Sequence, residues 1–95
     1  MKSQIDALRQ LTHELLYLGM DGEPIYADRF RQLNSDVYNQ AEALYQKKAR
    51  NDEEEATLCV TLLKAYSATI YDRGDKGGKV QILLDRSWEV LNKIS

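Results

Sequence analysis

With one cysteine, one proline and one histidine in 95 residues, the chain lacks the raw material for several kinds of chemistry. A single thiol, Cys59, cannot close an internal disulfide, and its place on an apolar helix face suits a small buried hydrophobe better than a nucleophile. The lone histidine, His13, leaves metal sites and His-based triads without members. His13-Glu14 opens like the helix of a zinc protease, but Tyr17 stands where the second ligand is needed. No apolar run approaches the roughly 20 residues that cross a bilayer. The N-terminus MKSQIDALRQ has no basic segment followed by an apolar core, so the chain is expected to be cytoplasmic and to have no membrane partner. Excess positive charge is missing too: 13 Lys and Arg against 15 Asp and Glu give a net charge of −2 and a pI near 5.3. That balance argues against direct nucleic-acid binding, which needs clustered cations to displace counterions. The densest basic run, Lys47-Lys48-Ala49-Arg50, is followed at once by Asp52-Glu53-Glu54-Glu55.

What is present is a globular composition, 43% hydrophobic and 29% charged, in a length that suits a single domain over residues 1–95. The stretch 56–71 (ATLCVTLLKAYSATIY) is apolar on nearly every side of a helix. At about 100° per residue, Ala56, Cys59, Leu62, Leu63, Tyr66 and Ile70 share one face. Leu58 and Ala65 flank it on one side and Val60 and Tyr71 on the other, leaving Thr57, Thr61, Lys64 and Ala68 for water. Such a helix has to be covered by others, and its core is expected to centre on Cys59, Leu63, Tyr66 and Ile70.

Three further segments read as helices. Ser3 with Asp6 resembles a capping box, after which Ile5, Leu8, Leu11, Thr12, Leu15, Leu16 and Leu18 form one broad face up to Gly19. A loop follows over 20–24. From about 26 to 48 the spacing Tyr26, Phe30, Leu33, Val37, Ala41, Leu44 predicts the longest helix. Asn51 with Glu54, or Asp52 with Glu55, gives a second capping box, and the glutamates of that turn suit the positive end of a helix dipole. The central helix is expected to end near Asp72, where Arg73-Gly74-Asp75-Lys76-Gly77-Gly78 offers a stop and a connection. The last helix places Val80, Leu83, Leu84, Ser87, Val90, Leu91 and Ile94 on one side, with Trp88 at the margin. The expected fold is all-α, a compact bundle of four amphipathic helices.

No catalytic, cofactor or metal residues emerge. Gly74-Asp75-Lys76-Gly77-Gly78-Lys79-Val80 departs from the phosphate-loop pattern in spacing, in the residue after lysine and in lying between helices. Arg73-Gly74-Asp75 reads as turn chemistry. Asp21, Glu23, Asp28, Asp72, Asp75 and Asp85 suit loops, helix starts and surface, so no enzyme is expected. Surface beyond what a bundle needs does emerge: His13 and Tyr17, one turn apart on the polar side of the first helix, Tyr38 and Tyr45 on the flank of the second, and Ile82 opposite the main stripe of the last. Tyrosine favours protein interfaces because it buries a large ring while its hydroxyl stays satisfied.

The order Leu11-Thr12-His13-Glu14-Leu15-Leu16-Tyr17-Leu18-Gly19, then Ala27-Asp28-Arg29-Phe30-Arg31-Gln32-Leu33-Asn34, Glu53-Glu54-Glu55-Ala56-Thr57-Leu58-Cys59, Asp72-Arg73-Gly74-Asp75-Lys76 and Leu84-Asp85-Arg86-Ser87-Trp88, resembles the UpxZ family of transcription anti-terminator antagonists across nearly the whole chain. The resemblance implies a bacterial cytoplasmic regulator, encoded in capsular polysaccharide loci, that antagonises NusG-like anti-terminators of competing loci. It also implies that some relatives continue beyond Ser95. The expectation is therefore an interaction protein that binds a NusG-like anti-terminator directly, with His13, Tyr17, Tyr38 and Tyr45 as candidate anchors and Glu53, Glu54 and Glu55 as an acidic rim. Two alternatives stand beside it: a small-molecule or anion-binding helical domain using the loop 76–79, and a homodimerisation module with a patch that includes Ile82.

Overall fold

The computed structural model describes residues 1–20, 28–70 and 74–94, the side chains at 19, 20, 76 and 94 excepted. Within them the chain forms α1 (Lys2–Met20), α2 (Asp28–Tyr45), α3 (Asp52–Ala68), a single 3-10 turn (Lys76–Gly78) and α4 (Lys79–Ile94), with no strand among the described residues. The expected all-α bundle is what the protein adopts. The loop expected at 20–24, the start of the second helix at Tyr26, the flanking Tyr71 and the stop near Asp72 lie, apart from the helical backbone of Met20, outside the described residues. Among the described residues α1 spans 19 residues and α2 18, and α2 ends at Tyr45, short of the expected end near Lys48.

Helix ends follow local chemistry, in part not as expected. The Ser3–Asp6 box does not start α1: the helix opens a residue earlier, with the Ile5 N–H donating to the Met1 carbonyl at 3.0 Å. At α3 the Asn51 signal holds. Asn51 is extended (φ −154°), its side chain accepts from the Glu54 N–H at 2.9 Å, and Glu54 reaches back to accept the Arg50 N–H at 3.0 Å. Four acids follow in the first turn, Asp52 to Glu55, where the helix dipole favours them. The other end of α3 closes at Thr69, a fully buried residue whose hydroxyl donates to the carbonyls of Ala65 and Tyr66. Beyond it, Gly74 at φ +70° and Gly77 at φ +74° supply the left-handed conformations that let the chain turn into α4.

The central role of the segment holds over its described residues 56–70, with a different face inward. Helix α3 packs against α1, α2 and α4, α1 and α2 pack on each other, and α4 lies chiefly along α3. Leu58, Cys59, Leu62, Ala65 and Tyr66 of α3 meet Ile5, Leu8 and Leu15 of α1, Val37, Ala41 and Leu44 of α2, and Leu83 of α4 in one continuous core. The expected core centre needs two corrections, because Leu63 only packs at the margin and Ile70 is exposed. Leu62 and Leu63 lie about 100° apart, and only the positions of α1 and α2 decide between them. Thr61, expected in water, is buried with its hydroxyl donating to the Thr57 carbonyl at 2.7 Å, while Val60 is 51% exposed. On α4, Leu83 and Val90 are buried, but Leu84, Leu91 and Trp88 are exposed. Among the described residues Asn34 is buried with neither amide atom hydrogen-bonded to another protein group.

Candidate functional site

On the side where α3 faces α2 and α4, polar and aromatic groups are used up within the fold. The Tyr66 hydroxyl donates to the Glu42 carboxylate at 2.7 Å, and the same carboxylate pairs with Lys79 of α4. Tyr38 and Tyr45 stand nearly perpendicular to the Tyr66 ring, with centroids 6.1 and 6.3 Å away, and the Lys79 ammonium lies 5.3 Å from the Tyr45 centroid. About two turns along α4 from Lys79, Glu55 pairs with Arg86, whose guanidinium lies 5.8 Å from the Tyr45 ring. Burial and then the Glu42 bond push the Tyr66 hydroxyl far above its ordinary pKa. Burial likewise raises the Cys59 thiol, outweighing nearby Arg86. Arg86 therefore stands close to Cys59, but Cys59 is fully buried, as the sequence suggests, and its thiol donates to Glu55 at 3.4 Å.

The opposite side of α3 is open. Between it and α1 runs a groove of about 800 Å³, bounded on α1 by Asp6, Arg9, Gln10, Thr12, His13 and Leu16 and on α3 by Ala56, Thr57, Val60, Thr61 and Lys64. Thr12 and Thr61 are buried at its base, and both hydroxyls donate to their own helix, Thr12 to the Leu8 carbonyl at 2.7 Å. Leu16 stands 47% exposed. It lies on the α1 side, and Val60 supplies exposed apolar surface on the α3 side. Arg9 and Lys64 are exposed on the rim, and neither takes part in an ion pair among the described residues.

The candidates named from the sequence divide between these two sides. His13 lines the groove, and Tyr17, 59% exposed, lies beside it with ring centroids 6.2 Å apart. Tyr38 and Tyr45 are half-buried against Tyr66, so much of their apolar surface already serves the fold. Of the three candidate glutamates only Glu53 is left exposed to solvent: Glu54 holds Arg50 and the helix cap, and Glu55 holds Arg86. The loop offered as an anion site is occupied by its own chemistry, with the Asp75 carboxylate accepting the Val80 N–H at 3.2 Å and Lys79 committed to Glu42. Ile82 is exposed as expected. Leu84 and Trp88 sit on another side of α4, about 160° from it in the case of Leu84. Sequence reasoning missed Leu16 and Val60. The one available signal was the breadth of the apolar faces of the first and central helices, wider than one neighbour covers.

Among the described residues no three His, Cys, Asp or Glu side chains are grouped to hold a metal ion, and no helix is long and apolar enough to cross a membrane. Comparison with known proteins gives two findings. Residues 5–95 match the model of the UpxZ family of transcription anti-terminator antagonists. A crystal structure of a transcription anti-terminator antagonist UpxZ from Bacteroides uniformis ATCC 8492 is similar, with 38% sequence identity and a TM-score of 0.78. The match covers 96% of this chain and 55% of that one, so the chain spans little more than half the length of this relative. No curated protein matches.

Proposed function

The chain belongs to the UpxZ family of transcription anti-terminator antagonists, and from that premise we propose that it restrains an anti-terminator by binding it directly. The target is a NusG-like elongation factor of a capsular polysaccharide locus, met in the bacterial cytoplasm, and the complex forms without RNA. The family match over residues 5–95 carries this reading. Two physical features support it. A chain of net charge −2 has little means of holding a phosphate backbone. The His13–Tyr17 pair and the side chains of Leu16 and Val60 expose apolar surface in one place, which is the anatomy of a protein interface with aromatic anchors.

The test is a titration of purified NusG-like anti-terminators from several capsule loci, with nuclease present, against the native chain and Tyr17→Ala. The native chain binds at least one of them, and Tyr17→Ala weakens that complex by about tenfold or more, as removal of an aromatic anchor does. Failure of every anti-terminator to bind refutes the mechanism. Binding that survives the substitution moves the interface elsewhere. Tyr38→Ala serves as a poorer probe, since it also removes a ring packed on Tyr66.

A further inference from the structure

We propose that the groove between α1 and α3 receives an amphipathic helix whose apolar face lies on Leu16 and Val60 and whose flanking carboxylates meet Arg9 and Lys64. The inference rests on the proposed function only in taking the occupant to be a segment of a protein partner. Its first ground is shape. From Asp6 to Leu16 the α1 wall extends about 15 Å, the length of roughly three helical turns, and a trough between two helical walls with exposed apolar side chains has the form used in helix-in-groove recognition. A small-molecule site would bring polar groups together at its base. Here the basal hydroxyls of Thr12 and Thr61 are spent on backbone carbonyls, and the charged groups stand at the rim.

The second ground is charge. Arg50, Lys79 and Arg86 are each matched to a carboxylate, whereas Arg9 and Lys64, like the exposed Arg29, Arg31 and Lys93, form no ion pair among the described residues. The groove gathers Arg9 and Lys64, with titratable His13 between them in sequence, against the single carboxylate of Asp6. Two cations less one anion leave it at +1 with His13 neutral, on a chain whose total is −2. An apolar trough with a positive rim on an acidic protein selects a helix with negative flanks and repels one with positive flanks.

The experiment uses two synthetic helical peptides with the same leucines at i, i+3, i+4 and i+7, one flanked by glutamates and the other by lysines. Each is titrated into the isotopically labelled full chain, native and Arg9→Glu/Lys64→Glu, with backbone amide shifts as the readout. The glutamate peptide is expected to move the amides around Leu16 and Val60. The double variant should weaken it by about tenfold and reverse the preference between the peptides. Both substituted positions are exposed, and an unchanged melting temperature verifies the variant's fold. Equal affinity of the two peptides overturns the proposal, as do absent shifts in the groove or shifts confined to the Trp88 side. Groove shifts that grow with protein concentration before any peptide is added also overturn it, by assigning the groove to a second copy. Titration of both proteins with a purified anti-terminator separates the two readings. No binding to the native chain refutes the proposed function and leaves the peptides to decide the groove, whereas equal binding to both proteins refutes the groove alone.

Discussion

Both sides of α3 carry lysine and arginine beside apolar or aromatic side chains and put them to opposite uses. Facing α2 and α4, tyrosine, lysine, arginine and glutamate close on one another: Tyr66 and Lys79 on Glu42, Arg86 on Glu55, Tyr38 and Tyr45 on Tyr66. Facing the groove beside α1, the cations Arg9 and Lys64 and the apolar side chains Leu16 and Val60 meet solvent. A satisfied polar network fixes how helices dock, because removing one member leaves another buried without its partner. Unmatched charge next to exposed apolar surface contributes little to folding and is available to a partner. Stability and binding should therefore be separable by substitution, one side of the helix at a time.

The largest contrast lies between positions two residues apart. Leu62 is fully buried, and Leu62→Ala is expected to cost about 2–5 kcal/mol through lost transfer free energy and the cavity left behind. Val60→Ala on the groove side should change stability by no more than about 0.5 kcal/mol. Denaturant unfolding of both variants checks this, and comparable losses would erase the distinction between the two sides. Leu63→Ala, at the margin of the core, should fall between them.

This contrast also marks what was legible in the sequence. Local signals were: the Asn51 cap, the glycine-rich break before the last helix, four helices, and the segment at the centre. Those features depend on residues within a turn or two of each other. The inward face of α3 was not legible, because Leu58, Cys59, Leu62, Leu63, Tyr66 and Ile70 offer more apolar surface than the neighbours cover, and the choice of Leu62 over Ile70 belongs to where α1 and α2 lie. Nor was the fate of Tyr38 and Tyr45, whose ring contacts depend on a tyrosine in another helix. The acidic run shows the same limit. Its fit to the helix dipole was readable locally, but the pairing of Glu55 with Arg86 joins residues far apart in sequence.

The second test takes the closed side apart at its hydroxyl. Tyr66→Phe keeps the ring and its edge contacts and removes the bond to Glu42, which retains Lys79, so the loss should be about 1–2 kcal/mol at neutral pH. It should also alter the alkaline limb. The folded state holds the Tyr66 proton more tightly than the unfolded chain does, because burial and then Glu42 disfavour the phenolate. The stability this confers is complete below the ordinary tyrosine value of 10.0 and declines as pH rises above it. Melting temperatures followed into that alkaline range should fall less steeply for Tyr66→Phe than for the native chain. Parallel declines would mean that the hydroxyl is not held as the geometry indicates.

The smallest effect belongs to neither side of the contrast, at the start of α3, where Glu54 is held by the Arg50 N–H and, against some burial, by the Arg50 guanidinium at 3.2 Å. These contacts lower its pKa from the ordinary 4.5, the N–H contributing most. A depressed carboxyl contributes stability that is present above the ordinary value and is lost as pH falls through the folded one. Glu54→Gln separates charge from geometry, since glutamine at this position still accepts the backbone N–H in a capping box. The variant should melt slightly below the native chain at pH 7. The gap should close on acidification below the ordinary carboxylate range, where the native Glu54 is itself neutral. Added salt at neutral pH should narrow it only in part, because screening weakens the exposed Arg50 pair more than the hydrogen bond to its N–H. A gap that persists unchanged into acid would assign the whole effect to cap geometry. A network that relies on partners held by several helices should not respond this way, so the cost of Tyr66→Phe should not track the closing of the Glu54→Gln gap.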